Sequence, residues 1–531
     1  MRRPHARTTR GIDNPDSDRR STMEPIHNHL FHQSRSVRTK QSLKPVVFGL
    51  VAVLASATVF FYAIIHGISN WPRFRYCLFI DAGSTGTRIH VIEYTVLPGF
   101  KLDFVERGAL RVNPGLSSYA GDPAGAANSL QDLLAFGRIK VPKEQWELTE
   151  IWLMATAGLR LLDTSMQNRI MEECRRVLRA SEFKFKDEWA SVISGSDEGL
   201  YAWVVANYAL GTLGAEPSRT TGIMELGGAS AQITFVSGEP LPSEFSRTVK
   251  YGNMTYVIYS HSLLHFGLNA ACDAVRESLT LGEHKSGIPV RQDGRIEDPC
   301  TPKGYSYPPG SSNQDATLLP MGNFSACRSA VLTLLQKGKD HCPYPRCSIG
   351  SSFVPSLSGK RFLATENFFY TSKFFDLGAR ASLSDMIAAG DEFCRREWPM
   401  LNLRNMSSSL SDADLMHYCF SSAYIVAFLH DSLGISLHDN RIEYANKIGG
   451  VSLDWALGAF ILHGVGDIDT PSPRRSWAFG DASPTLLSLA AIAIVVPVLA
   501  YGVAKWKKTG WKTIYDLEKG RYIVTRIIRN S

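Results

Sequence analysis

The chain carries one short pattern twice, and this repeat constrains its fold more than any other feature of the sequence. The first copy covers Leu78–Arg88, and the second, about 144 positions later, covers Gly222–Gln232. In each copy an apolar run leads to an acid, Asp81 or Glu225, and then to glycines and small hydroxyl residues. An alternating apolar stretch follows each turn. Each copy therefore predicts a buried strand, a tight turn and a second strand.

Turns of this composition are suited to binding anions. Glycine and other small residues let backbone N–H groups approach an anion closely, and the hydroxyl groups add further donors. A single glycine-rich hairpin is usually only a turn, but the second copy, with an acid at the same place, favours a binding role. Two such turns facing each other would hold a polyphosphate from both sides. The acids would repel a phosphate, so we expect them to orient a divalent cation or a water molecule.

Two uncharged stretches near the chain ends are long enough to cross a bilayer as helices. They cover residues 46–68 and 482–504, and neither contains an acid, lysine or arginine. The alternative is a buried core helix, but both stretches lie beside basic tails. We predict a transmembrane signal anchor at 46–68 and a second transmembrane helix at 482–504.

Charge is concentrated in the two tails. Residues 1–45 and 505–531 each carry six more basic than acidic residues, which leaves the middle of this +7 chain near −5. Because basic residues flank both spans on their outer sides, we predict cytosolic termini and a lumenal or extracellular body at 69–481. Residues 1–45 are predicted to be a disordered tail. The alternative, a transit peptide, is disfavoured by Asp13, Asp16 and Asp18.

Cysteine usage fits an oxidising compartment. Seven of the nine cysteines lie in the second half of the body, at positions 272, 300, 327, 342, 347, 394 and 419. Cys342 and Cys347 enclose a short loop and are predicted to pair, as are Cys394 and Cys419. One of the other three is left over, and the sequence does not say which. A zinc cluster is the alternative, but no Cys-x-x-Cys pair is present.

Three Asn-x-Ser/Thr triplets begin at Asn253, Asn323 and Asn405, and all lie between the two predicted spans. Such triplets arise by chance, yet each is placed where glycosylation could reach it. We therefore predict a glycoprotein.

The body is too large for one hydrophobic core, so two lobes are expected. Strand-like and helical runs alternate along it, which favours an α/β architecture with a mixed sheet in each lobe. Strands are predicted at Glu150–Met154 and Ala190–Ile193, and helices at Ser165–Arg179 and Glu198–Leu210. The Pro-, Gly- and Ser-rich stretch Asp298–Pro320 is interpreted as a loop.

Two segments between the copies place polar groups where a strand leads into a helix. The first, Ala155–Arg160, taken alone is a generic strand-to-helix turn. The second, Ser194–Trp203, places Glu198 in the first turn of a helix, where the helix dipole favours an ionised carboxylate. A carboxylate directed into a phosphate site could take a proton from an attacking water. The alternative is that Asp197 and Glu198 only cap the helix.

Taken in order, these segments resemble the apyrase family, the nucleoside triphosphate diphosphohydrolases and nucleoside diphosphatases of the secretory pathway and cell surface. The resemblance extends from Tyr76 to Ile461 and rests on five signature regions. They match at Asp81–Arg88, Ala155–Leu161, Ser194–Trp203, Glu225–Gln232 and Val451–Gly458. The resemblance implies a two-lobed actin-like (ribonuclease H-like) α/β fold with mixed sheets, to which the sequence adds a transmembrane helix at each end. It also places nucleotide and metal in the cleft between the lobes.

The resemblance further implies roles for individual residues. Glu198 would activate water, and Asp81 and Glu225 would hold Ca²⁺ or Mg²⁺ through water. Phosphate or nucleotide would be bound by Ser84, Thr85, Gly86, Thr87, Arg88, Thr156, Gly228, Ala229, Ser230 and Gln232. Thr156 and Gln232 would also help to place metal and nucleophile. Tyr370 and Trp455 are candidates for stacking the base, although an aromatic residue is more often part of the core.

One residue departs from the family pattern, because most members have aspartate where this chain has Glu225. The extra methylene puts the metal geometry and the preferred cation in question. Hints about phosphate number conflict: Gly86 and the run from Gly195 to Gly199 resemble diphosphate-preferring members, whereas a double membrane span resembles surface or Golgi-type triphosphatases.

The predicted function is stepwise hydrolysis of nucleoside tri- and/or diphosphates to the monophosphate. The alternatives are a nucleotide-binding scaffold and a sugar kinase on the same actin-like fold. We expect a membrane-embedded protein of the Golgi or plasma membrane, without a nucleic-acid partner. Its transmembrane helices are candidates for holding copies together in an oligomer.

Overall fold

The computed structural model of the chain divides into a compact body, Pro72–Ala482, and a separate unit formed by Met1–Trp71 with Ser483–Ser531. The residues that the structure describes are 53–62, 74–97, 101–281, 295–307, 318–405, 410–466, 510–516 and 521–527. The body contains two mixed sheets flanked by helices, as the alternation of runs predicts.

The first sheet has five strands: β1 (Arg75–Ala82), β2 (Thr87–Leu97), β3 (Lys101–Val112), β4 (Glu150–Ala155) and β5 (Ala190–Val192). Their order in the sheet is β3-β2-β1-β4-β5. β1 is antiparallel to β2 and parallel to β4. The interior of β1 is uniformly apolar and buried, as expected for a strand with both faces covered.

The second sheet has six strands and repeats this layout. The strands in this part of the chain are β6 (Gly222–Leu226), β7 (Ser230–Val236), β8 (Ser246–Tyr251), β9 (Met254–Leu264), β10 (Ile296–Asp298), β11 (Leu318–Pro320), β12 (Phe362–Glu366) and β13 (Ile442–Tyr444). The order in the sheet is β13-β12-β6-β7-β9-β8. β6 is antiparallel to β7 and parallel to β12, so it corresponds to β1. The sequence repeat therefore marks the first hairpin of two sheets with the same topology, and β8 is an added edge strand.

Short two-stranded ladders also form outside the two large sheets. β10 and β11 pair in parallel and lie at the two ends of the stretch interpreted as a loop. β14 (Lys447–Ile448) and β15 (Val451–Ser452) form a small antiparallel ladder. Near the carboxyl end, β16 (Gly510–Asp516) and β17 (Arg521–Ile527) pair in antiparallel within the segment predicted only as a basic tail.

Thirteen α-helices fall within the described residues. They are α1 (53–62), α2 (Pro123–Asn128), α3 (Leu130–Lys140), α4 (Ala157–Arg160), α5 (Thr164–Arg179), α6 (Gly195–Ala209), α7 (Leu268–Thr280), α8 (Phe324–Gln336), α9 (Asn367–Phe374), α10 (Leu383–Arg395), α11 (Trp398–Asn405), α12 (Asp412–Val426) and α13 (Trp455–Gly466). The predicted strands and helices between residues 150 and 210 are confirmed as β4, α5, β5 and α6. Helix α6 begins earlier than predicted, because the Ser194 hydroxyl caps it by accepting from the N–H of Asp197 at 3.1 Å.

Helices α6 and α13 cross closely in the body. Each is the next α-helix after the corresponding edge strand of its sheet, β5 or β13. Gly458 of α13 lies so near the carbonyl oxygen of Tyr201 in α6 that a Cβ atom there would overlap it. The crossing buries Trp203, Ala456 and Ala459 in one core cluster. Helix α6, from the first half of the sequence, is therefore held in place by α13, from the second half.

Three disulfides lie in the second half of the body. The predicted pairs Cys342–Cys347 and Cys394–Cys419 are confirmed. The third bond joins Cys300 to Cys327, so Cys272 is the cysteine left over. Its thiol is buried and lies 3.7 Å from Nδ1 of His417.

The predicted membrane spans fall mainly outside the described residues. Of residues 46–68 the structure describes only 53–62, as helix α1, and residues 482–504 lie entirely outside the described part, as do residues 1–45. Within the part of the chain that is described, no helix has the length and apolar character needed to cross a membrane.

Candidate active site

The two repeated turns lie against each other in the body. Asp81 pairs with Arg88 across the first hairpin, and Glu225 pairs with Gln232 at the same place in the second. A Cβ atom on Gly228, in the second turn, would lie 2.8 Å from Cγ2 of Thr85 and 2.9 Å from Oγ of Ser84. The absence of a Cβ atom allows this close approach, which brings the two turns to the same cleft.

The two acids at the strand ends have buried, unsatisfied oxygens. Oδ1 of Asp81 and Oε2 of Glu225 have no hydrogen-bond partner. Burial raises the pKa of both carboxyls well above the ordinary range, and nearby acids add to the effect, Asp454 for Asp81 and Glu198 for Glu225. Orphaned acceptors of this kind fit a cation or ordered water. Within the described ranges, no group of three or more His, Cys, Asp or Glu side chains is placed to hold a metal ion directly.

Glu198 is buried in the first turn of α6. Its Oε2 atom accepts a hydrogen bond of 2.8 Å from Nη2 of Arg160, whose Nη1 donates to the carbonyl of Ile193 at 3.0 Å. Burial raises the pKa of Glu198, and Arg160 opposes the rise. The sequence predicted that the helix dipole would favour the ionised form, but desolvation outweighs the favourable charges here.

Several predicted residues of the cleft are buried and held by short contacts. Thr156 directly follows β4, and its N–H donates to the carbonyl of Ala82 at 3.1 Å. Gln232 donates from Nε2 to Oγ of Ser230 at 2.7 Å and to Oγ of Ser262 at 3.2 Å. Ala229 is also buried. These contacts fix the edge of the second turn beside the start of α6, because Gly195 packs against Ser262.

Arg88, expected to bind phosphate, is paired with a carboxylate. Its Nη1 lies 2.7 Å from Oδ2 of Asp454, an acid of the fifth signature region for which the sequence predicts no role. Asp454 also accepts from the N–H of Ala456 at 3.0 Å, and Nε2 of His90 lies 3.2 Å from its Oδ2. Nδ1 of His90 is 2.7 Å from Glu106. This chain of charges joins β2 and β3 to the start of α13.

The charges in this chain shift each other strongly. Burial disfavours the charged form of Asp454, but the charges of His90 and Arg88 outweigh burial and hold the pKa of Asp454 far below its usual range. Burial likewise lowers the pKa of His90, yet Asp454 and Glu106 raise it to about 10. His90 is therefore a cation at neutral pH.

A second arginine beside the first turn was also missed. Arg111, on β3 opposite Arg88 in the register, donates from Nη2 to Oγ1 of Thr85 at 2.6 Å and from Nε to Oδ1 of Asn113 at 3.1 Å. The side chains of Arg111 and Asn113 also lie against Gly86, where a Cβ atom would collide with them. No local motif marks Arg111, and only the strand register brings it to the turn.

The two aromatic candidates differ in exposure. Tyr370 in α9 is 42% exposed, whereas Trp455 is 6% exposed and its ring stacks on Tyr201 with centroids 6.4 Å apart. Tyr370 is free to meet a base, but Trp455 would have to leave its packing. Near Tyr370, burial raises the pKa of Glu366, a residue that ends β12 with a φ of 56°. Positive φ in a non-glycine residue often marks a functional site.

The predicted glycosylation sites lie in the body. Asn253 and Asn323 are exposed. Asn323 also caps α8, where its Oδ1 accepts from the N–H of Ala326 at 3.0 Å. Asn405 is the last residue of α11.

Residues 71–469 match the model of the GDA1/CD39 (nucleoside phosphatase) family. The chain is similar to "Probable apyrase 6" of Arabidopsis thaliana, with 49% identity over 561 aligned positions that cover 99% of this chain and all of the relative. It is also similar to "Ectonucleoside triphosphate diphosphohydrolase 8" of Homo sapiens, with 31% identity over 79% of this chain and 89% of the relative.

A solved structure shares the fold. The nucleoside triphosphate hydrolase of Neospora caninum superposes with a TM-score of 0.57 at 16% identity, covering 78% of this chain and 97% of that chain. At this identity the likeness supports the fold alone.

Proposed function

Because the chain belongs to the GDA1/CD39 (nucleoside phosphatase) family and is an apyrase enzyme that hydrolyses nucleoside phosphates, we propose that it removes the terminal phosphate of nucleoside tri- and diphosphates by attack of water on the phosphorus. Glu198 takes the proton from that water. Family membership favours this hydrolase over the nucleotide-binding scaffold and the sugar kinase.

The observation that carries the proposal is the position of Glu198 beside the two turn acids. Its charge contributes to the raised pKa of both Asp81 and Glu225, so all three carboxyls share one cleft. A general base works best when its pKa approaches the operating pH, and burial moves Glu198 in that direction. Arg160 supports this role by fixing the carboxylate through Oε2.

The two turns would bind the phosphates and stabilise the transition state. Backbone N–H groups around Ser84–Thr87 and Gly228–Ser230 donate to phosphate oxygens, with the hydroxyls of the same residues. Such preorganised donors act where charge develops during the reaction. The second turn, held by Gln232 and Ser262, keeps these donors in place without reorganisation.

Asp81 and Glu225 would hold Ca²⁺ or Mg²⁺ through water molecules, since their orphaned oxygens fit such a shell. The bound cation would neutralise negative charge on the phosphate oxygens. Tyr370 would stack on the base from the second lobe.

Replacement of the base tests the mechanism. We expect Glu198→Gln to lower kcat on the order of 10²–10⁴-fold, because the amide cannot accept the proton. The measurement is phosphate release by the full chain with ATP, ADP, UDP and GDP, each with Ca²⁺ or Mg²⁺. Glu150→Gln is the matched control, because Glu150 begins β4 and pairs with the exposed Lys184. The hydrolase mechanism fails if wild type and Glu198→Gln release phosphate equally, or if neither does so with any nucleotide.

The proposal includes a location. We place the enzyme in a membrane of the secretory pathway, Golgi or plasma membrane, with the body lumenal or extracellular and both termini cytosolic. Its three disulfides and the exposed Asn253 and Asn323 support this location. The enzyme would then act on nucleotides outside the cytosol.

A further inference from the structure

Three arginines border the cleft, and they differ in how their charge is balanced. Arg88 pairs with Asp454, and Arg160 pairs with Glu198. Arg111 contacts only neutral oxygens, those of Thr85 and Asn113, and within the described ranges it forms no ion pair. Of these three arginines, Arg111 is thus the one that has no carboxylate within ion-pair distance in the described part of the chain.

Arg111 is also held in a defined place. Its partners take one N–H from Nη2 and the N–H of Nε, which leaves three of the five guanidinium donors for another acceptor. The guanidinium lies against Gly86, so it sits directly on the first phosphate turn. Side-chain mobility is thus reduced before any ligand arrives, which lowers the entropic cost of a further contact.

The charge of Arg111 reaches across to the second lobe. It lowers the pKa of Glu366 and of Tyr370, although burial raises both overall. Arg111 is therefore close enough to both groups for its charge to act on them, as is Arg88. A polyphosphate bound at the turn would lie close to this guanidinium, because Arg111 contacts Thr85 directly.

We propose that Arg111 is a substrate-binding residue, whose guanidinium donates to non-bridging oxygens of the nucleotide's phosphate chain. The inference rests on the proposed function, in that it assigns a ligand contact within the same site. Arginine is suited to this contact because its planar fork binds phosphate oxygens in pairs, and lysine cannot reproduce that geometry. Arg88 does not duplicate this contact, because its charge is already balanced by Asp454.

Equilibrium binding separates this contact from catalysis. In the full chain carrying Glu198→Gln, so that nucleotide survives the measurement, we expect Arg111→Gln to weaken ATP and ADP binding by about 10–100-fold, the range for a hydrogen bond to a charged group. Arg111→Lys should weaken it less, because the charge remains. Binding is measured by calorimetry at fixed ionic strength, and thermal melting checks that each variant is folded.

Arg107→Gln is the matched control. Arg107 lies on the same strand, but it pairs with Glu93. We expect nucleotide affinity within twofold of the parent. The inference is overturned if Arg111→Gln and Arg111→Lys both bind ATP and ADP within twofold of the parent, or if Arg107→Gln weakens binding as much as Arg111→Gln. Should Arg111→Gln fail to fold, the folded lysine variant decides, with unchanged affinity counting against the inference.

The two proposals fail in different ways. If wild type releases phosphate and Arg111→Gln binds nucleotide normally, the function holds and the inference falls. If wild type binds nucleotide through Arg111 but releases no phosphate, the contact holds and the hydrolytic function falls.

Discussion

Glu225 stands where the resemblance to the apyrase family leads us to expect aspartate, and its longer side chain changes the reach of a buried carboxylate. We expect Glu225→Asp to change the ratio of activities with Ca²⁺ and Mg²⁺ several-fold, since Mg²⁺ demands tighter geometry than Ca²⁺. The measurement is phosphate release titrated with each cation. Glu443→Asp, at an exposed ion pair with Arg380, is the control. An unchanged cation ratio would contradict a metal role for this carboxyl.

His90 makes stability depend on pH. Its pKa is raised to about 10 in the folded state against 6.5 as its ordinary value, so its stabilising effect is complete below pH 6.5 and is lost as pH rises towards 10. We expect the melting temperature to fall by about 3–8 °C over this window. In His90→Gln this dependence should flatten, whereas the exposed His341→Gln should melt like wild type. Parallel pH profiles for wild type and His90→Gln would refute the ion-pair assignment.

At the residue scale the sequence predicted the site unevenly. Asp81, Glu198, Glu225 and Gln232 could be predicted because each belongs to a local motif with a chemical signature. The partner of Arg88 could not, because Asp454 lies 366 positions away and only folding brings it there. The same holds for Arg111, whose place beside Thr85 follows from the register of β2 and β3.

The crossing of α6 and α13 should be intolerant of added volume. In Gly458→Ala the new Cβ would overlap the carbonyl oxygen of Tyr201, and relieving this contact should lower the free energy of unfolding by about 1–3 kcal/mol. Because α6 carries Glu198, kcat should fall as well. Denaturant unfolding and phosphate release measure the two effects.

Gly378→Ala is the matched control for this substitution. Gly378 is exposed with open space around it, and its φ is not positive, so its replacement should change neither quantity appreciably. If Gly458→Ala behaves like Gly378→Ala, the crossing does not hold the base in place.

At the element scale, local patterns predicted what local physics determines. The strand and helix from Glu150 to Arg179 follow from apolar runs and helical periodicity, and two disulfides follow from short spacings. The third, Cys300–Cys327, could not be chosen from sequence, because Cys272 is an equal candidate until α7 turns its thiol towards His417. The matching strand order of the two sheets could not be predicted from the sequence either, since only the first hairpin of each sheet keeps a visible repeat.

At the scale of the whole molecule, the proposed membrane topology predicts where sugar is attached. In full chain inserted into microsomes, Asn253 and Asn323 should be glycosylated, because both are exposed in a body predicted to be lumenal. Endoglycosidase treatment should reduce the apparent mass, and Asn253→Gln with Asn323→Gln should reduce or remove that shift. Added protease should shorten only the tails. Digestion of the body in intact vesicles would place it in the cytosol and reject the topology.

The duplicated sheet also has a consequence for the direction in which a substrate lies. Two identical halves would accept a phosphate chain in either of two orientations related by a half-turn, and only one would bring the terminal phosphorus to Glu198. The two halves are unequal here. Arg88 of the first hairpin matches Gln232 of the second, and Glu198 near the start of α6 pairs with one arginine, whereas Asp454 at the start of α13 lies against both Arg88 and His90. Divergence between the halves therefore makes the two orientations unequal in energy and gives the cleft a polarity.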